Sequence, residues 1–275
     1  MKRTLFFSLV VCLCASLRAV SPSGTLPVLY IQTENNAAIT SKDDYINATY
    51  YLDNQGLSDY QSIGSKAEPL AMEIKGRGNY SWSGFDKKPY RIKFDQKQSL
   101  FGLHEAKSWV LLAEYLDPSC MHNYPAFSLG AESDALAFTP TAHHVNLYLN
   151  GEFMGLYLLC EQVQENEGRM NLEQTITPDM TDLDQFNFYV CLDEYAPEQP
   201  GAKEGETYFY VPWCDNYYTL KYPQKADFTF LIPTLSKLTA KASPITNCAV
   251  VLVVGARLFG SASSSTVVFN TKSAC

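Results

Sequence analysis

The chain has 275 residues, 46% of them hydrophobic and 13% aromatic, and a formal charge of −8. That much apolar material builds a buried core and excludes a disordered chain, while the acidic balance argues against a general nucleic-acid binder, whose surface is basic. The length accommodates one large domain or two small ones.

Met1-Lys2-Arg3 is followed by the apolar run TLFFSLVVCLCASL and then LRAV. A basic start, a short apolar run and a small residue near the cut describe a secretory signal peptide; the run is too short for a membrane span. Residues 1–19 are read as the signal, and the rest as exported to the periplasm, the cell surface or the medium. A lipoprotein anchor at Cys12 or Cys14 fits poorly, because Val11 and Leu13 stand where a small residue is expected. Six cysteines remain, at 120, 160, 191, 214, 248 and 275. Export permits disulfides among them, and their wide spacing forms no zinc or redox motif.

LPVLYIQT (26–33) and INATYYLDN (46–54) are rich in β-branched and aromatic residues and predict strands. LAMEIKGRGN runs as a strand into a glycine turn, and KPYRIKF leaves it as another. In that second strand Tyr90, Ile92 and Phe94 share one face, and Arg91 and Lys93 the other. SWVLLAEY (108–115) is a buried strand or a short helix. Asp117-Pro118 predicts a helix start, with Pro125 kinking or restarting the helix that follows. HVNLYLNGEFMGLYLLCEQV alternates on both sides of Asn150-Gly151, a strong hairpin signal. QFNFYVCLDEY, ETYFYVPW and YYTLKYP add further strands. The body reads as α+β and strand-rich, with no internal repeat.

Between Lys75 and Lys93 the acidic chain gathers six cations (Lys75, Arg77, Lys87, Lys88, Arg91 and Lys93) against one acid, Asp86. The turn Gly76-Arg77-Gly78-Asn79 offers backbone N–H groups to an anion, and Arg77 adds a fork suited to phosphate. Arg91 and Lys93 project together from one strand face, where an anion between them would relieve their repulsion. The alternative is a solvated edge strand guarded by its lysines. Lys87 reads as an exposed loop residue. Glu161 ends an apolar strand and needs a partner, with Lys93, Arg91 and Arg169 all available. Asp193-Glu194 reads as a loop start. His143-His144 face opposite ways on a strand and make a poor metal pair.

In series, IKGRGNYSW, KKPYRIKFDQKQSLFGL, AKSWVLLAEYLDPSCMHN and VNLYLNGEFMGLYLLCEQVQENEGRMNL resemble the N-terminal half of the spore-coat protein H (CotH) kinase-like family. The resemblance runs from about Leu26 to about Pro223. It implies an atypical protein-kinase-like fold that binds ATP with Mg²⁺ and phosphorylates a protein substrate. Gly76, Arg77, Gly78, Asn79, Arg91 and Lys93 would then cradle the nucleotide phosphates, with Glu161 orienting Lys93 by analogy with kinase logic. Two departures stand out. His122 occupies a position where members carry arginine, and the family's Asp-rich catalytic and metal-binding segments have no counterpart here.

Every acidic residue lies between Glu34 and Asp227, and residues 228–275 contain none. That tail reads as a low-complexity surface segment, a short β-addition or out-of-frame translation, and its abrupt onset favours the last. The expectation is therefore a signal (1–19), the N-terminal part of a CotH kinase-like domain (26–227), truncated on its C-terminal side, and an anomalous tail (228–275). Such a chain would lack catalytic activity as it stands. One rival is a non-catalytic surface module binding glycan or a protein partner. The other is an active enzyme whose metal acids are Glu161, Asp193 and Glu194.

Overall fold

The computed structural model describes residues 25–132, 136, 138–171, 188–212, 215–222, 250–253 and 266–269. The expected signal and most of the acid-free tail lie outside them.

Alternation of apolar and polar residues produces the first sheet. Seven strands close into a barrel: β1 (Val28–Thr33), β2 (Ile46–Asp53), β3 (Leu70–Gly76), β4 (Tyr90–Gln98), β5 (Ala106–Leu112), β6 (Ala142–Leu149) and β7 (Glu152–Glu161). Their order around the barrel is β1-β2-β3-β4-β5-β7-β6. Neighbours are antiparallel except at the closure, where β1 runs parallel to β6 with Val28 opposite Asn146. Closure leaves no free edge for another strand to pair with.

The inward residues fill the barrel. Trp109, Ile92 and Ile74 are fully buried, and Tyr50 stacks on Phe94 at 4.2 Å. SWVLLAEY resolves as strand: β5 pairs on both sides, with β4 and with β7. The hairpin at Asn150-Gly151 forms as its sequence predicts, both residues having positive φ (52° and 82°), as a tight twisted turn requires.

Two short helices flank the barrel, α1 (Tyr80–Ser83) and α2 (Asn123–Ala131). The expected helix start at Asp117 is corrected to Asn123. Asp117 instead organises a turn, its carboxylate accepting hydrogen bonds from the N–H groups of Ser119, Met121 and His122. Pro125 sits in the first turn of α2, where its missing N–H costs nothing. Phe127 of α2 packs on Val110, Leu158, Cys160 and Ala142, which line the outer face of β5, β7 and β6.

A second sheet contains β8 (Phe188–Leu192), β9 (Tyr208–Val211), β10 (Asn216–Tyr222), β11 (Val250–Val253) and β12 (Thr266–Phe269), in the order β11-β12-β8-β10-β9. The run AVVLVV thus contributes β11, and β12 pairs with β8.

Candidate functional site

The glycine turn joins β3 to β4, and both strands carry their charges outward. Register sets Lys75 opposite Arg91 and Glu73 opposite Lys93. Lys93 Nζ lies 2.9 Å from Glu73 Oε2, with both side chains largely exposed; that hydrogen bond and charge raise the lysine's proton affinity. Lys75 is shifted the other way, by burial first and by the Arg91 charge second. Its ammonium donates to the carbonyl of Asp43 at 3.1 Å and lies over the Tyr45 ring at 4.6 Å. The same ring receives Lys93 at 5.7 Å. Arg91 Nε is buried and has no hydrogen-bond partner among the described residues.

Arg77 is half-buried beside this pair, and burial together with the Arg91 charge lowers its proton affinity. A guanidinium nonetheless stays charged at neutral pH. Lys42 adds a fifth cation, donating to Asn79 Oδ1 at 2.7 Å. Lys42 and Tyr45 escape a reading of the sequence because only tertiary packing carries their segment to the turn. The acids Asp43, Asp44 and Glu73 face the same group, so the site mixes signs.

The turn itself is less open than its glycines imply. The N–H of Gly76 donates to Ser41 O at 2.9 Å, and that of Arg77 donates to Pro89 O at 3.2 Å. A Cβ on Gly76 would lie 2.5 Å from the Trp82 ring. Gly76 is therefore required for the indole to close over the strand end. Gly78, with φ +83°, supplies the left-handed residue of the turn.

Glu161 does not join this group, contrary to the role expected of it. Ile92, Trp109 and Glu161 are aligned across β4, β5 and β7, whereas Lys93 is aligned with Ser108. Successive strand residues face opposite ways, so Glu161 points to the barrel side and Lys93 to the outside. The partner of Glu161 is Arg169, with Oε1 3.3 Å from Nε and both side chains buried. Its Oε2 accepts from the Thr141 N–H at 3.0 Å. Arg169 lies over the Trp109 ring at 4.9 Å and donates to Gln162 O.

Lys87 is also corrected. It is half-buried, donating to Leu156 O and lying over the Tyr157 ring at 4.6 Å. Nearby, the buried Glu114 accepts from Asn123 Nδ2 at 2.9 Å, and its other oxygen lies 3.8 Å from His144 Nε2. His144 in turn bonds Cys120 O, while His143 packs against Phe101 on the other side of the strand. Asp193 starts a loop, accepting from Tyr195 N–H and Thr219 Oγ1. No group of three or more His, Cys, Asp or Glu side chains suited to a metal gathers among the described residues.

A family model for the CotH kinase protein matches residues 74–245, well over half of the chain. The chain belongs to the CotH kinase family. Among curated proteins nothing matches it. The CotH match begins inside β3 and takes in the glycine turn, the basic strand β4, α2 and the hairpin of β6 and β7. It also extends past Asp227, beyond the point where the acidic residues stop.

Proposed function

We propose that this CotH domain is an exported, kinase-like nucleotide-binding domain whose outer β3–β4 face receives the phosphates of ATP. The supporting observation is Arg91, whose buried Nε has no acceptor among the described residues while Lys75, Arg77 and Lys93 stand around it. An unsatisfied buried donor is costly, and a phosphate oxygen would satisfy it. Lys93 and Lys75 would neutralise further phosphate charge, and Lys42 would hold Asn79 and the turn in place. Glu161 and Arg169 would act as a structural pair that fixes the end of β7.

ATP brings a transferable phosphoryl group, and in the family Mg²⁺ accompanies it. The sequence has no counterpart of the family's Asp-rich catalytic and metal-binding segments, and phosphoryl transfer needs its metal held by protein carboxylates. The activity proposed for the chain as it stands is therefore binding. Export follows from the N-terminal segment, and mass spectrometry of the mature protein should find its first residue near Val20. Among the described residues no helix is long and apolar enough to cross a membrane.

Calorimetric titration with Mg-ATP tests the nucleotide reading. Arg91→Ala should weaken binding by about 1–3 kcal/mol, the worth of a charge-assisted hydrogen bond. Lys203→Ala, on an exposed pair with Glu206, should change nothing. Equal losses from both would indicate diffuse charge attraction and end the assignment to this face.

A further inference from the structure

A shallow pocket of about 550 Å³, largely open to solvent, lies between loops at the end of the barrel away from the glycine turn. Strand β3 runs from Leu70, opposite Tyr50, to Gly76 at the turn. The cavity is built by the loop that precedes Leu70 and by the β4–β5 connection, so it is separate from the Arg91 face. Its volume is of the order of small-molecule sites, about 300–1,000 Å³, but its open, polar rim suits a ligand that stays partly in solvent.

The loop is held by its own bonds. Leu52 and Ile63 exchange two backbone hydrogen bonds of 2.9 Å across its neck. Inside, Asn54 Nδ2 donates to the carbonyls of Leu57 and Tyr60, and Asn54 Oδ1 accepts from the Gly56 N–H. Across the cavity Phe101 has φ +56° and Gly102 φ +75°. A bulky residue rarely adopts that conformation, and it sets the Phe101 ring edge-on to Tyr60, 5.3 Å between centroids. His143 backs both rings, at 4.2 and 5.6 Å.

The groups lining this frame are Asp59, Tyr60, Gln61, Ser62 and Phe101, with Asn54 beneath. Among the described residues no Lys, Arg or His lines it, which disfavours phosphate or any other anion. Burial first and the His144 charge second lower the proton affinity of His143 behind the rings. The Tyr60 hydroxyl and the Gln61 amide form no hydrogen bond within the described residues, and Asp59 is engaged only by Ser58 Oγ. Two aromatic rings beside an uncommitted amide and hydroxyl and an exposed carboxylate with acceptor capacity to spare match one ligand chemistry: a ring with C–H bonds on its face and hydroxyls around its edge.

We propose that this cavity binds a neutral hexose unit of a polysaccharide. The rings would take the sugar's C–H face, and Asp59, Gln61 and Tyr60 its hydroxyls. The site is independent of nucleotide binding and would hold the domain on a glycan or a glycosylated partner.

Saturation-transfer NMR and calorimetry on the full chain, with maltohexaose, cellohexaose and chitohexaose as probes and inorganic phosphate as the anionic comparison, test the idea. At least one neutral oligosaccharide should bind, and phosphate should not bind at this cavity. Gln61→Ala, an exposed change that leaves folding intact, should weaken sugar binding about threefold to tenfold, the worth of one neutral hydrogen bond. Phe101→Gly, which tolerates the positive φ, should weaken it at least as much. Arg91→Ala should leave it unchanged, which separates this site from the nucleotide face. No binding of any of the three sugars, or binding indifferent to Gln61→Ala, overturns the proposal.

Discussion

The Glu161 carboxylate is buried 3.3 Å from Arg169 Nε, and this pairing leaves Lys93 to Glu73 on the opposite face of the sheet. The two ion pairs differ in kind. Arg169 and Glu161 side chains are 1% and 4% exposed, while those of Lys93 and Glu73 are 45% and 41% exposed. Removing one partner of a buried pair strands a charge and costs about 3–5 kcal/mol, whereas an exposed pair is screened by solvent and contributes little. Arg169→Ala should therefore lower the urea midpoint sharply and Lys93→Ala barely. Replacing Glu161 and Arg169 together by Leu and Met should restore most of the loss. A large loss from Lys93→Ala alone would show that the face assignment is wrong.

Gly76 gives a second test. Its missing Cβ makes room for the Trp82 ring, which would otherwise stand 2.5 Å away. Gly76→Ala should displace the indole, redden its fluorescence and destabilise the fold by about 1–3 kcal/mol, as overpacking does. Gly56→Ala offers a contrast: nothing lies within 4 Å of its Cβ, and only the φ of +77° opposes the change. Unchanged emission in Gly76→Ala would mean that Trp82 does not rest on this glycine.

Several of the barrel's strands were legible because β2, β3 and the start of β4 alternate, whereas the buried run of β5 does not. Tyr90, Ile92 and Phe94 point inward, Arg91 and Lys93 outward, and Asn150-Gly151 turns as its residue types require. The identity of Glu161's partner was not legible. Lys93, Arg91 and Arg169 all satisfy the need for a cation, and only the pairing register of β4, β5 and β7 decides which shares its face. The helix start failed for a related reason. Asp117 has the chemistry of a cap, but that side chain stabilises a turn as well as a helix, and local sequence does not distinguish the two. Lys42, Tyr45 and the Glu114–His144 contact come from tertiary neighbours distant in sequence.

Glu114 should make stability depend on pH. Burial raises its carboxyl first and foremost, with Asn123 and His144 opposing. The folded chain thus holds the proton more tightly than the unfolded chain, whose value is about 4.3. The contribution is fully present below that value and lost as pH rises through the folded one. Glu114→Gln removes this dependence, so its melting temperature should gain on the parent between pH 4 and pH 7. Asp117 works in the opposite sense. Burial pushes its carboxyl up, but hydrogen bonds from Ser119 and His122 outweigh that and hold it well below the usual range. Its contribution is present above about pH 4 and is lost as pH falls through the folded value. A constant difference between Glu114→Gln and the parent across pH 4–7 would refute the assignment to Glu114.

Thiol labelling tests the packing of α2. Cys160 lies on the outer face of β7 under Phe127, and burial pushes its thiol up to about 12. Cys120 is only half-buried, in the loop before α2. Thiolate is the reactive form, and it requires access. Under native conditions iodoacetamide should modify Cys120 and spare Cys160, and in urea both should react, as peptide mass spectrometry will show. Phe127→Ala opens the cover over Cys160 without touching the strand that carries it. In that variant Cys160 should become reactive well below the unfolding midpoint, while a protected Cys160 would mean that α2 does not seal this face.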